Sequence, residues 1–501
     1  MPNNTNNNDT IGTDHKFSSV EEVLNKFSAV EGKTFREIDK TMRSRNSKNK
    51  GRLGQIVEES VLGYKINSDK NPDIVAGGVP YELKVTPLKH IKNGKVSAKE
   101  RLVIDIINYM EIVNEKFDTS TCWNKAQRMF VVYYYDDRTD PKKQPITDCH
   151  LEHCNLMEFS EEDLRIIRDD WQKIHDKIAS GHADMLSESD TSYLAACTKG
   201  ASSKTMRQAP APEGAPSPTI QAKQRAFSLK SSYMTATIRR LLAQSNAQVQ
   251  NEQPERLELT AEQTLNSYVS SHMKPFIGMP VRDVAAKLGI AATQHAKAFN
   301  SQVALKMLGI HGKNVSDVEQ FDKANVTQLK TTLIYADGLP KEHMSFPAIN
   351  AEQWNEIADP NVEWEDSFIY HFFEENTFLI TVLGIDSLSK DHPDKMNATI
   401  RGGFLWNMPE RDIENYVHPV WQKLHDTLVA HQSFHYYGTN KGLPGPSFNN
   451  VCHIRPHARD KNDTIVLPNG DEIPKQSFWL DRQYIGKIIR ENTTEFDNTQ
   501  R

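Results

Sequence analysis

Cysteine is scarce in this chain: five in 501 residues, an odd number with none of the paired spacing of a disulfide framework, which excludes a small secreted scaffold. No apolar run is long enough to span a bilayer, and the opening residues 1–16 (MPNNTNNNDTIGTDHK) lack the hydrophobic stretch of a secretory signal. They read as a disordered polar tail, and the cytoplasm is the expected location by default. Paired metal-ligand spacing is missing as well. Cys149, His150, His153 and Cys154 crowd four potential zinc ligands together, but no second pair lies at a suitable distance elsewhere. Cys122, Cys197 and Cys452 stand apart from any base in a motif, which argues against thiol chemistry. An overall positive charge is also absent, the net charge being −6. The hydrophobic share of 38% nevertheless excludes wholesale disorder, and the length exceeds one ordinary core, so two or more domains are expected.

The charge is unevenly spread. Residues 1–250 hold 36 Lys and Arg against 33 Asp and Glu, whereas residues 251–501 hold 24 against 33. Arg36, Lys40, Arg43, Arg45, Lys48, Lys50 and Arg52 share their stretch with only Glu37 and Asp39, and Lys84, Lys89, Lys92, Lys95, Lys99 and Arg101 follow in a second group. Both could grip a phosphate backbone, although a solvated helix and hairpin would look similar. Between them lies the most telling segment, Asn71 to Thr86. Tyr81 to Thr86 (YELKVT) has the β-branched and aromatic character of a strand, so Glu82 and Lys84 share one face while Tyr81 and Leu83 point the other way. Gly77, Gly78 and Pro80 supply the turn before it, and Asp73 can meet Glu82 across that turn. Two carboxylates and a phosphate suit a hard divalent ion, with Lys84 beside the reacting water. Upstream, Gly54 to Gly63 has helical apolar spacing and a glycine stop, and Glu58, four before Leu62, can project toward the same place.

The run Gly54-Gln55-x-x-Glu58-x-x-x-x-Gly63, then Pro72-Asp73, then Glu82-Leu83-Lys84-x-x-Pro87, resembles the MutH family of PD-(D/E)xK nucleases. Lys99 to Val103, Ile106 to Tyr109 and Gln224 to Ser231 resemble the GATC-cutting type II restriction endonucleases of that family more closely than its mismatch-repair nickase. The resemblance implies that Asp73 and Glu82 are metal ligands for Mg²⁺, Lys84 the catalytic lysine, Glu58 an active-site carboxylate and Lys125 a further active-site lysine. Where the family's recognition loop reads Arg-Pro-Lys, this chain has Ala196 to Gly200 and keeps only Lys199. Lys199 and Ser228 are the candidate DNA contacts of this half, each equally readable as an ordinary loop lysine and strand serine.

The second half reads as a degraded copy of the first. Arg411 to Val429 shares Trp-Gln-Lys-x-His-Asp with Glu162 to Ser180, and Gln476 to Tyr484 echoes Gln224 to Tyr233. In this alignment Gln328 stands where Glu82 does, Ala304 opposite Glu58, and Glu319, nine residues before Gln328, opposite Asp73. Loss of two carboxylates should abolish tight Mg²⁺ binding. His453 to Arg459 restores the Arg-Pro of the recognition loop, making Arg455, His457 and Arg459 candidates for DNA contacts. Ala243 to Leu257 is polar and linker-like, and Ala209 to Pro218 (APAPEGAPSP) is expected to form a flexible loop.

The expected architecture is therefore α/β: two tandem restriction-endonuclease-like (MutH-like) domains, each a mixed central β-sheet flanked by helices. Residues 17–242 would be catalytic, 243–258 a linker, and 259–501 a degenerate DNA-binding or effector domain. The resemblance implies Mg²⁺-dependent cutting of both strands at 5′-GATC-3′ ahead of the G, leaving 5′-phosphates. It also implies a homodimer on double-stranded DNA and a cognate methyltransferase acting on the same sites. Two alternatives stay open: a GATC strand nickase of mismatch repair, and a non-catalytic DNA-binding protein.

Overall fold

The computed structural model describes residues 15–497 apart from 47–48, 50, 67–71, 92–94, 139–142, 201–204, 246–253, 292–298, 386–396 and 435–441. Residues 1–14 of the expected amino-terminal tail and 246–253 of the expected linker lie outside the described residues, whereas Lys16, expected in the tail, enters a strand and 243–245, expected in the linker, end the helix Ser231–Ser245. The chain divides into two compact units, one formed by Met1–Leu186 with Thr191–Asn251 and the other by Ser187–Asp190 with Glu252–Arg501.

The strands of the first unit are β1 (Lys16–Phe17), β2 (Ile74–Ala76), β3 (Val79–His90), β4 (Val96–Ala98), β5 (Leu102–Ile106), β6 (Met129–Tyr135), β7 (Leu151–Met157), β8 (Leu194–Thr198), β9 (Met206–Pro210), β10 (Thr219–Lys223) and β11 (Arg225–Leu229). They build a mixed sheet in the order β1-β2-β3-β6-β7, with β4 also on β3, and an antiparallel sheet β5-β11-β8. β3 runs parallel to β6, and β6 antiparallel to β7. β6 (MFVVYYY) is a nearly unbroken apolar run because both of its faces are covered; Met129 to Tyr133 are all fully buried. Phe130, Val132 and Tyr134 pack on one face with Tyr81, Leu83, Val23, Phe27, Ile56 and Val57. Removing an aromatic such as Phe130 from a core of this kind costs about 3–5 kcal/mol.

Helix Arg52–Ile56 widens into a π-helical turn, Val57–Leu62, and stops at Gly63, whose φ of 85° needs glycine. The Gly63 N–H reaches back five residues to the Glu58 carbonyl (3.0 Å). Helix Glu161–Ala179 begins at Ser160, which accepts the Asp163 N–H, and buries Ile166, Ile167, Asp170, Trp171, Ile174 and Ile178 along one stripe. Asp170 is wholly enclosed and accepts the N–H groups of Ser192, Tyr193 and Leu194 at 2.6–3.0 Å, which fixes the entry to β8.

The second unit contains β12 (Val326–Tyr335), β13 (Met344–Ala348), β14 (Thr377–Ile385), β15 (Thr399–Trp406), β16 (Cys452–Pro456), β17 (Thr464–Val466), β18 (Glu472–Pro474) and β19 (Gln476–Leu480). β12 is parallel to β14 and β14 antiparallel to β15, the pattern of β3, β6 and β7. β13-β19-β16 repeats the antiparallel order of β5-β11-β8. The shared Trp-Gln-Lys-x-His-Asp builds the same helix surface twice. Gln172 donates to Asp176 and Gln422 to Asp426, both at 2.7 Å, while Trp171 stacks on His175 and Trp421 on His425.

Two expectations need correction. The Pro/Ala stretch is a loop only over residues 211–218, which join β9 to β10: Ala209 and Pro210 lie in β9, which pairs with β10 from Met206↔Lys223 to Pro210↔Thr219, and Ala209 is buried. A two-stranded ribbon tolerates Pro because its outer edge needs no donor. Glu319 does not take the place of Asp73. It starts the helix Glu319–Lys323 and pairs with Lys323 and Arg256, each at 2.8 Å.

Candidate active site

The β2–β3 hairpin turns at Gly77 and Gly78, with φ of 59° and 81°, the two left-handed positions of a tight hairpin turn. Ile74 pairs with Tyr81, so Asp73, one residue outside, faces Glu82. Asp73 Oδ2 accepts the Leu83 N–H (2.8 Å), and its own carbonyl meets His15 Nδ1 (2.8 Å). Tyr81 and Leu83 enter the core, which turns Glu82 and Lys84 to the opposite face. There Lys84 Nζ donates to Glu82 Oε1 (2.7 Å) and to the Ile104 carbonyl of β5 (3.2 Å).

Glu82 is 4% exposed, and its second oxygen, Oε2, has no hydrogen-bond partner among the described residues. Burial, reinforced by the Asp73 carboxylate and opposed by Lys84, raises its pKa above the ordinary carboxylate value. Glu58 projects from the π turn into the same field. Burial, followed by the charges of Asp73, Glu59 and Glu82, pushes its pKa up to about 7. Lys125, on the helix Thr121–Ala126, forms an ion pair with Asp105 of β5 (3.1 Å). Burial opposes its charged form, yet Glu82, Asp105 and Asp73 outweigh that and raise its pKa. The fold thus brings Glu58, Asp73, Glu82, Lys84 and Lys125 into one electrostatic neighbourhood.

Crowded carboxylates with an orphaned buried oxygen are a donor set that calls for a cation. All the donors are hard oxygens, which fits Mg²⁺ better than a thiophilic ion. Asp73 and Glu82 would hold it. Mg²⁺ commonly takes only one or two carboxylates and completes its shell with phosphate and water, so an open set of this kind suffices.

Two neighbours were missed by sequence reasoning. Asp105 is the lone charge in LVIDI and could have been noticed on that ground. Tyr64 is buried, its hydroxyl finds no partner among the described residues, and burial with the charges of Glu58, Asp73 and Glu82 raises its pKa strongly. His15 stacks on its ring at 4.0 Å.

The basic groups are partly committed within the protein. Arg36 pairs with Asp148, Arg43 with buried Glu59 through two hydrogen bonds, and Lys99 with Asp136. Lys48, Lys50 and Lys92 lie outside the described residues. Lys199 is exposed just beyond β8. Ser228, expected to contact DNA, does not reach the surface: it is fully buried in β11 between β5 and β8.

In the second unit Lys330 occupies the strand position matching Lys84 and keeps its main-chain contact, Nζ donating to the Ser345 carbonyl of β13 (2.7 Å). Among the described residues no carboxylate supports it. Burial lowers its pKa to about 8, the opposite of what an acidic site does to a lysine. Ala304 is buried in the helix Phe299–Met307. Arg455 lies in β16 with its guanidinium over the Trp479 ring (5.4 Å). His457 meets the Ser477 hydroxyl (3.1 Å), and Arg459 is exposed beside Asp463. By register Arg455 matches Cys197 and His457 matches Lys199, each counted from a β16 or β8 residue paired to a leucine, Cys452↔Leu480 and Leu194↔Leu229.

Comparison with known proteins agrees with this geometry. The family described as "DNA mismatch repair enzyme MutH" matches residues 62–170, a span that holds Asp73, Glu82, Lys84 and Lys125. The chain is 31% identical over 468 residues to the type II restriction enzyme Sau3AI of Staphylococcus aureus, covering 86% of this chain and 91% of that enzyme. It is 26% identical over 222 residues to the DNA mismatch repair protein MutH of Shewanella woodyi, covering 44% of this chain and 90% of that protein.

Proposed function

Because the chain belongs to the MutH-like type II restriction enzymes, and is accordingly a restriction endonuclease acting on DNA, we propose that its first unit cleaves both strands at 5′-GATC-3′ with Mg²⁺. The observation that carries the reading is the cluster of Glu58, Asp73 and Glu82 around Lys84, with Glu82 Oε2 left unpartnered among the described residues. Asp73 and Glu82 would hold a divalent ion, which when bound would supply positive charge against the scissile phosphate and make water acidic enough to react at neutral pH. Lys84, anchored at Glu82 and the Ile104 carbonyl, orients the attacking water from one side. Glu58, which projects into the same field as Asp73 and Glu82, takes up the proton released. Lys125 adds positive charge where the phosphate gains negative charge. The water oxygen joins phosphorus as the bond to the 3′ oxygen breaks, leaving a 5′-phosphate ahead of the G and a 3′-hydroxyl.

The second unit binds DNA without cleaving it. Gln328, Ala304 and an unsupported Lys330 cannot reproduce the acidic set, whereas Arg455, His457 and Arg459, with Lys199 of the first unit, offer contacts to DNA. With one catalytic set per chain, cutting both strands takes a homodimer on DNA or two successive nicks. The enzyme works in the cytoplasm beside a methyltransferase that protects the same sites. Among the described residues no helix is long and apolar enough to cross a membrane. The test is incubation with unmethylated plasmid carrying several GATC sites, with Mg²⁺ or chelator, followed by sequencing of the ends. Discrete double-strand ends at GATC that need Mg²⁺ are expected; persistent nicks, or cuts elsewhere, would overturn the reading.

A further inference from the structure

A second cluster of ligating side chains stands at one end of the sheet β13-β19-β16. Met344 and Cys452 both pair with Leu480, so His343, one residue before β13, lies opposite Asp481, one residue after β19. His453 of β16 is their diagonal neighbour on the same face, since side chains alternate along each strand. One ligand atom from each of the three lies within 4.8 Å of the others. The Nδ1 atom of His343 is 3.2 Å from Asp481 Oδ2 and accepts the Arg482 N–H (3.2 Å), while Asp481 Oδ1 is engaged by the Gln483 N–H. The two imidazoles meet edge to face at 4.9 Å.

His453 gives the cluster its meaning. It is fully buried, and neither of its ring nitrogens has a hydrogen-bond partner among the described residues. A buried imidazole ordinarily satisfies at least one nitrogen. Burial, with His343 and Arg455 nearby, holds its pKa down to about 3; burial, with Arg455 and Arg482, also lowers that of His343 despite Asp481. In the first unit the same register positions carry Arg101, Ala195 and Lys230, which cannot form such a set.

We propose that His343, His453 and Asp481 form a binding site for a divalent transition-metal ion of the Zn²⁺ class, separate from the Mg²⁺ chemistry of the first unit. Two imidazoles and a carboxylate suit Zn²⁺ and its neighbours, whereas Mg²⁺ prefers oxygen alone. Metal–nitrogen bonds of about 2.0–2.1 Å set tetrahedral ligand atoms about 3.3 Å apart, close to the 3.2 Å between His343 Nδ1 and Asp481 Oδ2, and an ion bound there would displace the Arg482 N–H from Nδ1. His453 completes the set by a small closing movement of its ring. His343, 20% exposed, gives the ion its way in, and the bound ion ties three strands together.

The full-length protein, stripped with chelator and returned to excess Mg²⁺ to occupy hard sites, is titrated with Zn²⁺ by calorimetry and with Co²⁺ by visible absorption. Wild type and Glu82→Ala are expected to bind one ion each with equal affinity, and bound Zn²⁺ to raise the melting temperature. His343→Ala and Asp481→Asn, each checked for native circular dichroism, are expected to bind at least tenfold more weakly and to lose the thermal shift. No stoichiometric binding by wild type, or binding unchanged in both His343→Ala and Asp481→Asn, would overturn the proposal. So would loss of binding in Glu82→Ala.

Discussion

Glu58→Gln should make the metal-free enzyme more stable at pH 8 while removing a group the proposed chemistry uses. Glu58 has a folded-state pKa of about 7 against an ordinary 4.5, because it is buried beside Asp73, Glu59 and Glu82. A carboxyl whose pKa rises on folding favours the folded state fully only below pH 4.5, and that advantage is lost as pH rises through 7. Full conversion of the shift gives about 3 kcal/mol of penalty at pH 8 and under about 1 kcal/mol at pH 5. Solvent reaches part of the site, so about 2 kcal/mol at pH 8 is the working figure. Urea denaturation in chelator, comparing wild type with Glu58→Gln at both pH values, isolates the effect because lost packing contributes equally at each. The gain should appear at pH 8, shrink at pH 5, and fall when Mg²⁺ is added to wild type. Equal differences at the two pH values, or none at pH 8, would refute the idea that these carboxylates are crowded.

Lys330→Met removes a buried ammonium whose pKa is held at about 8, so relative to wild type it should stabilise more at pH 7 than at pH 9, by about 1 kcal/mol, in paired urea melts. Asp170→Ala strands three backbone donors in the core and should cost about 3 kcal/mol or more, read as a lower urea midpoint for the first unit. Arg455→Ala should weaken binding to a GATC duplex by about 1–3 kcal/mol, measured by fluorescence anisotropy with Ca²⁺ replacing Mg²⁺, and should leave affinity for unrelated duplexes much less changed.

The strand that carries Glu82 and Lys84 was legible because its signals are local. Alternation in YELKVT assigns Glu82 and Lys84 to one face, and two glycines fold Asp73 back onto it. Asp105 and Tyr64 were not, since they come from elements that do not pair with β3 and only the tertiary fold brings them near Glu82. Ser228 was correctly read as a strand residue, but its burial depends on β5 and β8 enclosing β11. Counting nine residues back to Glu319 fails for a geometric reason: a helical residue advances about 1.5 Å and a strand residue about 3.3 Å, so equal counts reach different places once a helix replaces a strand. The pairing of Arg36, Arg43 and Lys99 with acids was likewise invisible, because their partners, apart from Glu59, lie far along the chain.

Single-turnover cleavage and binding of one GATC duplex by Glu82→Ala test the central claim most directly. Glu82, which anchors Lys84 and is the proposed ligand of the ion, should be needed for chemistry and dispensable for recognition. A loss of cleavage rate of about a thousandfold or more, with Kd in Ca²⁺ within a few-fold of wild type, is the predicted result. Cleavage that persists at near wild-type rate would contradict the account, because the reaction would then have to run on residues other than this set.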